Sequence, residues 1–64
     1  MEQKRYDVVV CDDATGKIVS VIGKNLDERG MERRIETGCS RVNMFKFHVK
    51  EVPAGTAVVG EVSK

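Results

Sequence analysis

The sequence has no tryptophan, one histidine and one proline in 64 residues, with only two phenylalanines and one tyrosine. A domain of this length hides about 60% of the surface that its unfolded chain exposes, so its core has to use each apolar side chain efficiently. Phe45 and Phe47 are the largest apolar groups, and we expect both in the core. No linker or repeat divides the sequence, which predicts one domain over residues 1–64.

A strong net charge is also absent, since 11 basic and 10 acidic residues leave +1. This balance gives no overall field for attracting nucleic acid or an acidic membrane, so any charged interaction has to be local. No apolar run approaches the roughly 20 residues of a membrane span, and no apolar leader opens the sequence. Cys11 and Cys39 are too few for a disulfide framework. These absences predict a cytoplasmic protein with free thiols and no membrane partner.

Two segments rich in valine and isoleucine, residues 6–10 and 18–22, flank the loop sequence DDATGK. This pattern predicts a β-hairpin. We expect Asp13 to open the turn, Gly16 to take the left-handed conformation, and Lys17 to lie opposite Asp13.

Both faces of the predicted hairpin are apolar. Its register places Val9 opposite Val21 and Cys11 opposite Val19, and these four side chains share one face. The other face carries Tyr6, Val8, Val10, Ile18 and Ile22. A sheet with one side in water alternates between apolar and polar residues, so this hairpin needs a cover on each face.

A helix over residues 25–38 is predicted to cover one of these faces. Asn25 is a favoured N-cap residue, and Glu28 follows it at the spacing of a capping box. Gly30 is expected where the helix lies close to the sheet, and Gly38 is expected to end the helix.

Residues 41–52 alternate between apolar and polar side chains, which predicts a strand. Phe45, Phe47 and Val49 share one side of it and are expected to face the helix. A turn over residues 53–56, with the sequence PAGT, is predicted to follow this strand.

A fourth strand over residues 57–62 would complete a second hairpin. The predicted fold is therefore α+β: a small antiparallel sheet, in ββαββ or ββαβ order, with one helix packed on one face.

The loop sequence CDDATGKI offers carboxylates, a hydroxyl, a glycine and a lysine, but it fits no ligand-binding motif. A phosphate-binding P-loop needs a glycine where Cys11 stands and a hydroxyl where Ile18 stands. A structural zinc site needs four ligands in close pairs, whereas Cys11, Cys39 and His48 are far apart in the sequence. We therefore predict a structural turn, and no metal or cofactor.

His48 is the candidate for acid–base chemistry. It is predicted on an outer strand face between Lys46 and Lys50, and no carboxylate is evident to orient its ring, because Glu51 points to the other face. A short chain also has little room for a deep cleft. A solvated histidine is the preferred interpretation, and an enzyme centred on His48 ranks third among the functional hypotheses.

Nucleic-acid binding ranks second. Lys46, His48 and Lys50 stand at alternate positions and share a strand face, with Arg41 near the predicted start of the strand, and such spacing can follow phosphates. The predicted helix, however, interleaves its arginines with glutamates, which is not typical of a helix that reads DNA.

Protein binding is the leading hypothesis. If the helix covers one face of the hairpin, then Val9, Cys11, Val19 and Val21 on the other face form an apolar patch of the kind that marks an interface. The sequence therefore predicts a non-enzymatic accessory or regulatory module that binds a protein partner and forms a homodimer through the sheet. The alternative is that residues 57–62 fold over this patch.

Overall fold

The computed structural model describes residues 4–42 and 45–62. Its elements follow one another as β1 (Tyr6–Asp12), β2 (Ile18–Leu26), α1 (Glu28–Arg41) and β3 (Phe47–Pro53). The strands form an antiparallel sheet in the order β2-β1-β3, and α1 packs against all three of them. The predicted α+β class is confirmed, in ββαβ order. No helix among the described residues has the length and apolar character needed to cross a membrane.

The first hairpin forms as predicted, but Asp12 organises its turn instead of Asp13. The Asp12 N–H donates to the Lys17 carbonyl (2.9 Å), and the Gly16 N–H donates to the Asp12 carbonyl (2.7 Å). Asp12 Oδ1 also accepts from the Ala14 N–H (2.8 Å). Gly16 has the expected left-handed conformation, with φ of 73°. Asp13 lies within the turn, but its carboxylate takes no part in these bonds and contacts His48 of β3.

The register of the hairpin shifts along its length. Val9 lies opposite Val21, as predicted. Between the next two pairs, β1 advances by one residue while β2 advances by two, so Cys11 lies opposite Ile18 and Val19 becomes the extra residue of a bulge. The predicted pairing of Cys11 with Val19 is therefore wrong, and Val19 is 43% exposed.

The central strand β1 is buried on both faces. The helix face of the sheet carries Val10 and its partner Val49, which contacts α1. The far face, on the opposite side from α1, contains a cluster of buried residues, namely Val9, Cys11, Ile18 and Val52. Val8 and Val9 have no exposed surface, because one points to each face.

The helix begins three residues later than predicted. Asp27 is the N-cap, and its Oδ1 accepts from the Gly30 N–H at 2.7 Å. Asn25 belongs to β2 and has a left-handed backbone, with φ of 52°. Both residues are good N-cap types, so the capping signal in the sequence was ambiguous by two positions.

Gly38 lies inside the helix and does not end it. A Cβ at Gly38 would lie 2.7 Å from Cδ1 of Ile22 and 3.3 Å from the methyl groups of Val49. The close approach of helix to sheet predicted at Gly30 therefore occurs at Gly38, two turns later. The helix ends at Arg41, where the Val42 N–H donates to the Gly38 carbonyl at 3.0 Å.

The third strand is shorter than predicted. It begins at Phe47, and Arg41 belongs to α1. Phe45 lies in a turn and is 97% exposed, so its predicted core position is wrong, whereas Phe47 is half-buried. Asn43 and Met44, which the predicted strand included, lie outside the described residues.

Residues 57–62 fold over the far face and do not form the predicted fourth strand. The Ile18 N–H donates to the Glu61 carbonyl (2.9 Å), and the Gly60 N–H donates to the Ile18 carbonyl (2.7 Å). Ala57 packs on the buried cluster. The left-handed backbone of Gly60, with φ of 92°, interrupts the extended chain that a strand would need. The turn predicted at residues 53–56 is confirmed by a bond from the Thr56 N–H to the Pro53 carbonyl (3.2 Å).

Asp7 ties this C-terminal part to the end of β2. The residue is 7% exposed, and its carboxylate accepts two backbone hydrogen bonds. Oδ1 accepts from the Asn25 N–H at 2.8 Å, and Oδ2 accepts from the Gly55 N–H at 3.1 Å. One buried carboxylate thus fixes the end of β2 and the turn after β3, at residues that are 30 positions apart.

Candidate functional site

Two of the four predicted basic positions, His48 and Lys50, share the far face of β3, and Lys46 lies in the turn immediately before this strand. We call Lys46, His48 and Lys50 the basic row. His48 lies opposite Cys11 and Lys50 lies opposite Val9, and cross-strand partners point to the same face of a sheet. Arg41 is not part of this row, because it is the last residue of α1.

A carboxylate does orient His48. Nδ1 of His48 lies 2.5 Å from Oδ1 of Asp13, a short hydrogen bond in which the imidazole N–H donates. The Asp13 N–H also donates to the Lys46 carbonyl at 2.9 Å, which holds the loop against the start of β3. The sequence-based statement that His48 lacks an orienting carboxylate was wrong, because it considered only residues near His48 in the chain.

Cys11 lies beside this pair but is poorly suited to act as a nucleophile. It is 1% exposed, and burial raises the pKa of its thiol. The positive charge of Lys50 opposes this effect on the pKa, and the negative charge of Asp13 adds to it. The thiolate is the reactive form of cysteine, and a raised pKa disfavours it. The oriented His48 therefore has no activated cysteine nucleophile beside it.

The predicted apolar patch is only partly accessible within one chain. Val9 and Cys11 are buried, Val21 is half-buried against the same cluster, and Val19 is exposed. Part of the cover is provided by residues 57–62, through Ala57 and the bonds to Ile18, and this is the alternative that the sequence left open. Self-association through Val9 and Cys11 therefore requires this segment to move away first.

The outer edge of β3 is the backbone feature that the sequence did not reveal. The Asp13 N–H bonds to the Lys46 carbonyl, and the Ala54 N–H bonds to the Arg5 carbonyl. Hydrogen-bonded and non-bonded pairs alternate along an antiparallel ladder, so the even-numbered residues of β3 direct their backbone groups toward β1. The odd-numbered residues direct theirs outward. We call the outward N–H and C=O groups of Phe47, Val49 and Glu51 the β3 edge.

The two edges of the sheet differ. β2 carries three register shifts, and the backbone of Ile18 is bonded to Gly60 and Glu61. Bulges and covering segments are the devices by which proteins close an edge strand to further pairing. β3 pairs with β1 over 7 consecutive residues without a register shift, and no strand of the described chain lies beyond it. The edge at β2 is therefore irregular and covered at Ile18, whereas the edge at β3 is regular and open.

Comparisons of the chain with protein-family models, with curated proteins and with solved structures found no match.

Proposed function

We propose that the protein is a non-enzymatic interaction module that binds an extended segment of a partner protein along the β3 edge. The observation that carries this proposal is the contrast between the two edges of the sheet. A regular edge strand presents a row of backbone donors and acceptors, and adding a strand from another chain satisfies them.

The surroundings of the β3 edge favour such binding. Phe47 and Val49 are half-buried on the helix face, so they offer apolar contact to a strand laid beside them. Val49 is held in position by α1, because it packs against Gly38. A preorganised strand loses little conformational freedom when a partner is added, which supports its affinity.

The test of this function is a selection of displayed peptides against the immobilised chain. We expect the selected peptides to perturb the backbone amide resonances of Phe47, Val49 and Glu51. We also expect Val49→Pro to abolish binding while circular dichroism shows a folded chain, because this substitution removes an outward N–H and leaves the N–H groups that bond to β1 in place. The lost contacts of the Val49 methyl groups with α1 should lower stability without unfolding the chain. Peptides that bind with full affinity to folded Val49→Pro would contradict the proposal.

A second candidate function, nucleic-acid binding, is favoured by one observation. His48 and Lys50 share the far face of β3, and Lys46 in the preceding turn lies beside the exposed ring of Phe45. The basic row would bind successive phosphates of a nucleic-acid strand, while one of its bases stacks on the ring of Phe45. This function predicts that labelled oligonucleotides bind at low salt and that Lys46→Glu with Lys50→Glu removes the binding. Absence of binding at low salt would eliminate it.

Self-association stays a separate prediction. Sedimentation at micromolar concentration measures it directly, and a 7.1 kDa monomer at all concentrations would contradict it.

A further inference from the structure

We propose that the segment bound at the β3 edge carries acidic side chains at alternate positions, which lie along the basic row. This inference rests on the proposed function and names the chemistry of the partner. The partner is an extended, antiparallel peptide in which acidic residues alternate with apolar ones.

The faces of β3 determine this alternation. The outward backbone groups belong to Phe47, Val49 and Glu51, whose side chains lie on the helix face. In an added antiparallel strand, the residues that bond to these groups direct their own side chains to the helix face as well. There they meet Phe47 and Val49, so apolar side chains fit. The intervening residues of the peptide point to the far face and meet the basic row.

The charges of the basic row select acidic residues at the intervening positions. Within residues 4–42 and 45–62, neither Lys46 nor Lys50 forms an ion pair. His48 differs from them because it is already bonded to Asp13. Glutamates opposite the two lysines therefore gain new partners, whereas a glutamate opposite His48 meets a site whose carboxylate is supplied by the chain itself.

The pattern also fixes the register. Glu51 is exposed on the helix face of β3. A peptide displaced by one residue would place its acidic side chains on the helix face, beside Glu51, and its apolar side chains beside the lysines. Like charges side by side on neighbouring strands are unfavourable, so the alternation of the peptide selects one register out of two.

A second copy of this chain is the less suitable occupant. When two β3 strands pair antiparallel through their outward groups, even-numbered residues lie opposite even-numbered residues. The basic row of one copy then faces the basic row of the other, which is electrostatically unfavourable. An acidic peptide replaces this repulsion with attraction.

The probe is a synthetic peptide in which glutamate and valine alternate, long enough to pair with the 7 residues of β3 and to reach Lys46 before them. Its partner peptide has glutamine in place of every glutamate. Fluorescence anisotropy should show that the glutamate peptide binds about fivefold or more tightly at low salt, and that the difference narrows at high salt. The protein variant Lys46→Gln with Lys50→Gln should remove this preference. Lys24→Gln, on the exposed part of β2, should leave it intact.

Backbone N-methylation separates strand addition from charge attraction. In the expected register, the valine N–H groups bond to β3 and the glutamate N–H groups point to solvent. N-methylation of the valines should weaken binding at least about tenfold, and N-methylation of the glutamates should leave it nearly unchanged.

The outcomes distinguish the two claims. One outcome is that the glutamine peptide binds as tightly as the glutamate peptide, with both depending on the valine N–H groups. In that case the claim that the partner is acidic is wrong, and the claim of strand addition at the β3 edge stands. If neither peptide binds, or methylation of valines and glutamates has equal effects, the acidic segment as occupant of the β3 edge is overturned. A labelled oligonucleotide that displaces the glutamate peptide and itself binds more tightly would assign the basic row to nucleic acid instead.

Discussion

At the scale of single residues, two buried polar groups have the largest consequences. Asp7 accepts two backbone hydrogen bonds below the surface, and burial raises the pKa of the Cys11 thiol. Neither role follows from the neighbours of these residues in the sequence. The first depends on how the end of β2 meets the turn after β3, and the second depends on the packing of β1 between β2 and β3.

We predict that Asp7→Ala lowers the free energy of unfolding by about 2–4 kcal/mol, because it leaves the Asn25 and Gly55 N–H groups without their acceptor. Asp7→Asn keeps one acceptor oxygen and should cost less. Urea unfolding measures both. Asp12→Ala, which removes one bond in an exposed turn, serves as the comparison and should cost about 1 kcal/mol or less. Equal effects of Asp7→Ala and Asp12→Ala would show that the buried bonds contribute little.

The raised pKa of Cys11 predicts a loss of stability at alkaline pH. The thiol of the unfolded chain ionises near pH 8.5, while the folded chain still holds its proton. Above that pH the unfolded state binds fewer protons, so the free energy of unfolding falls as pH rises. Below it, this thiol has no effect on the pH dependence.

The measurement is urea unfolding under reducing conditions at several pH values from about 7 to about 10. The decline should be smaller in Cys11→Ala than in the parent chain. Cys39→Ala, which alters the exposed thiol, should decline like the parent. If the free energy of unfolding declined equally with pH in all three proteins, Cys11 would not be the source of the decline.

At the scale of elements, α1 is positioned by a glycine that touches the sheet. Gly38→Ala is predicted to lower the free energy of unfolding by about 1–3 kcal/mol, because the added methyl overlaps Ile22 and crowds Val49. This loss runs against helix propensity, which favours alanine over glycine by about 1 kcal/mol. Thermal or urea unfolding gives the value.

The matched substitution is Gly30→Ala in the same helix. Its Cβ would lie 3.1 Å from Oδ1 of Asp27 and 3.5 Å from Cβ of Leu26, near the exposed N-terminus. The gain in propensity and the tight contact with the cap nearly cancel, so the change should be smaller than about 1 kcal/mol. A larger loss at position 30 than at position 38 would place the close contact elsewhere.

The sequence predicted the elements whose signals are local. The first hairpin follows from turn chemistry within DDATGK, and the class of fold follows from the order of strand-like and helix-like segments. The helix boundary was missed because Asn25 and Asp27 are both good N-caps, and tertiary contact decided between them. The sequence left ββαββ and ββαβ order open, and the ββαβ order is the one found. Alternation and valine content favoured a fourth strand because they do not reveal the left-handed backbone of Gly60.

The candidate site was less predictable than the fold. The alternation of Lys46, His48 and Lys50 predicts one shared face, since a strand has a fixed period of two. The pairing of His48 with Cys11 and of Lys50 with Val9 agrees with this for the two residues that lie in β3. The bond between Asp13 and His48 spans 35 residues and depends on β3 lying next to β1. The β3 edge results from the order of the strands in the sheet, and no residue type in β3 predicts that order.

At the scale of the whole molecule, the far face depends on residues 57–62 for its cover. We predict that a chain ending at Thr56 exposes Ile18 and the buried cluster around it. Cys11 should then react with a thiol reagent at a rate close to that of Cys39, and the shortened chain should associate through the uncovered face. Thiol labelling and sedimentation test this, with circular dichroism to establish that the sheet persists. A folded, monomeric chain with an unreactive Cys11 would show that the cover is dispensable.

The central place of β1 also determines the order in which the sheet can assemble. β1 and β2 meet through a short loop, and a hairpin of this kind closes in microseconds. The pairing of β1 with β3 joins residue 12 to residue 47 and has to wait until the intervening chain, including α1, has been brought back across the sheet. Until then, β1 is itself an edge strand, and it contains the apolar sequence VVVC. The segment that is most deeply buried in the native state is therefore the one most exposed to incorrect strand pairing during folding.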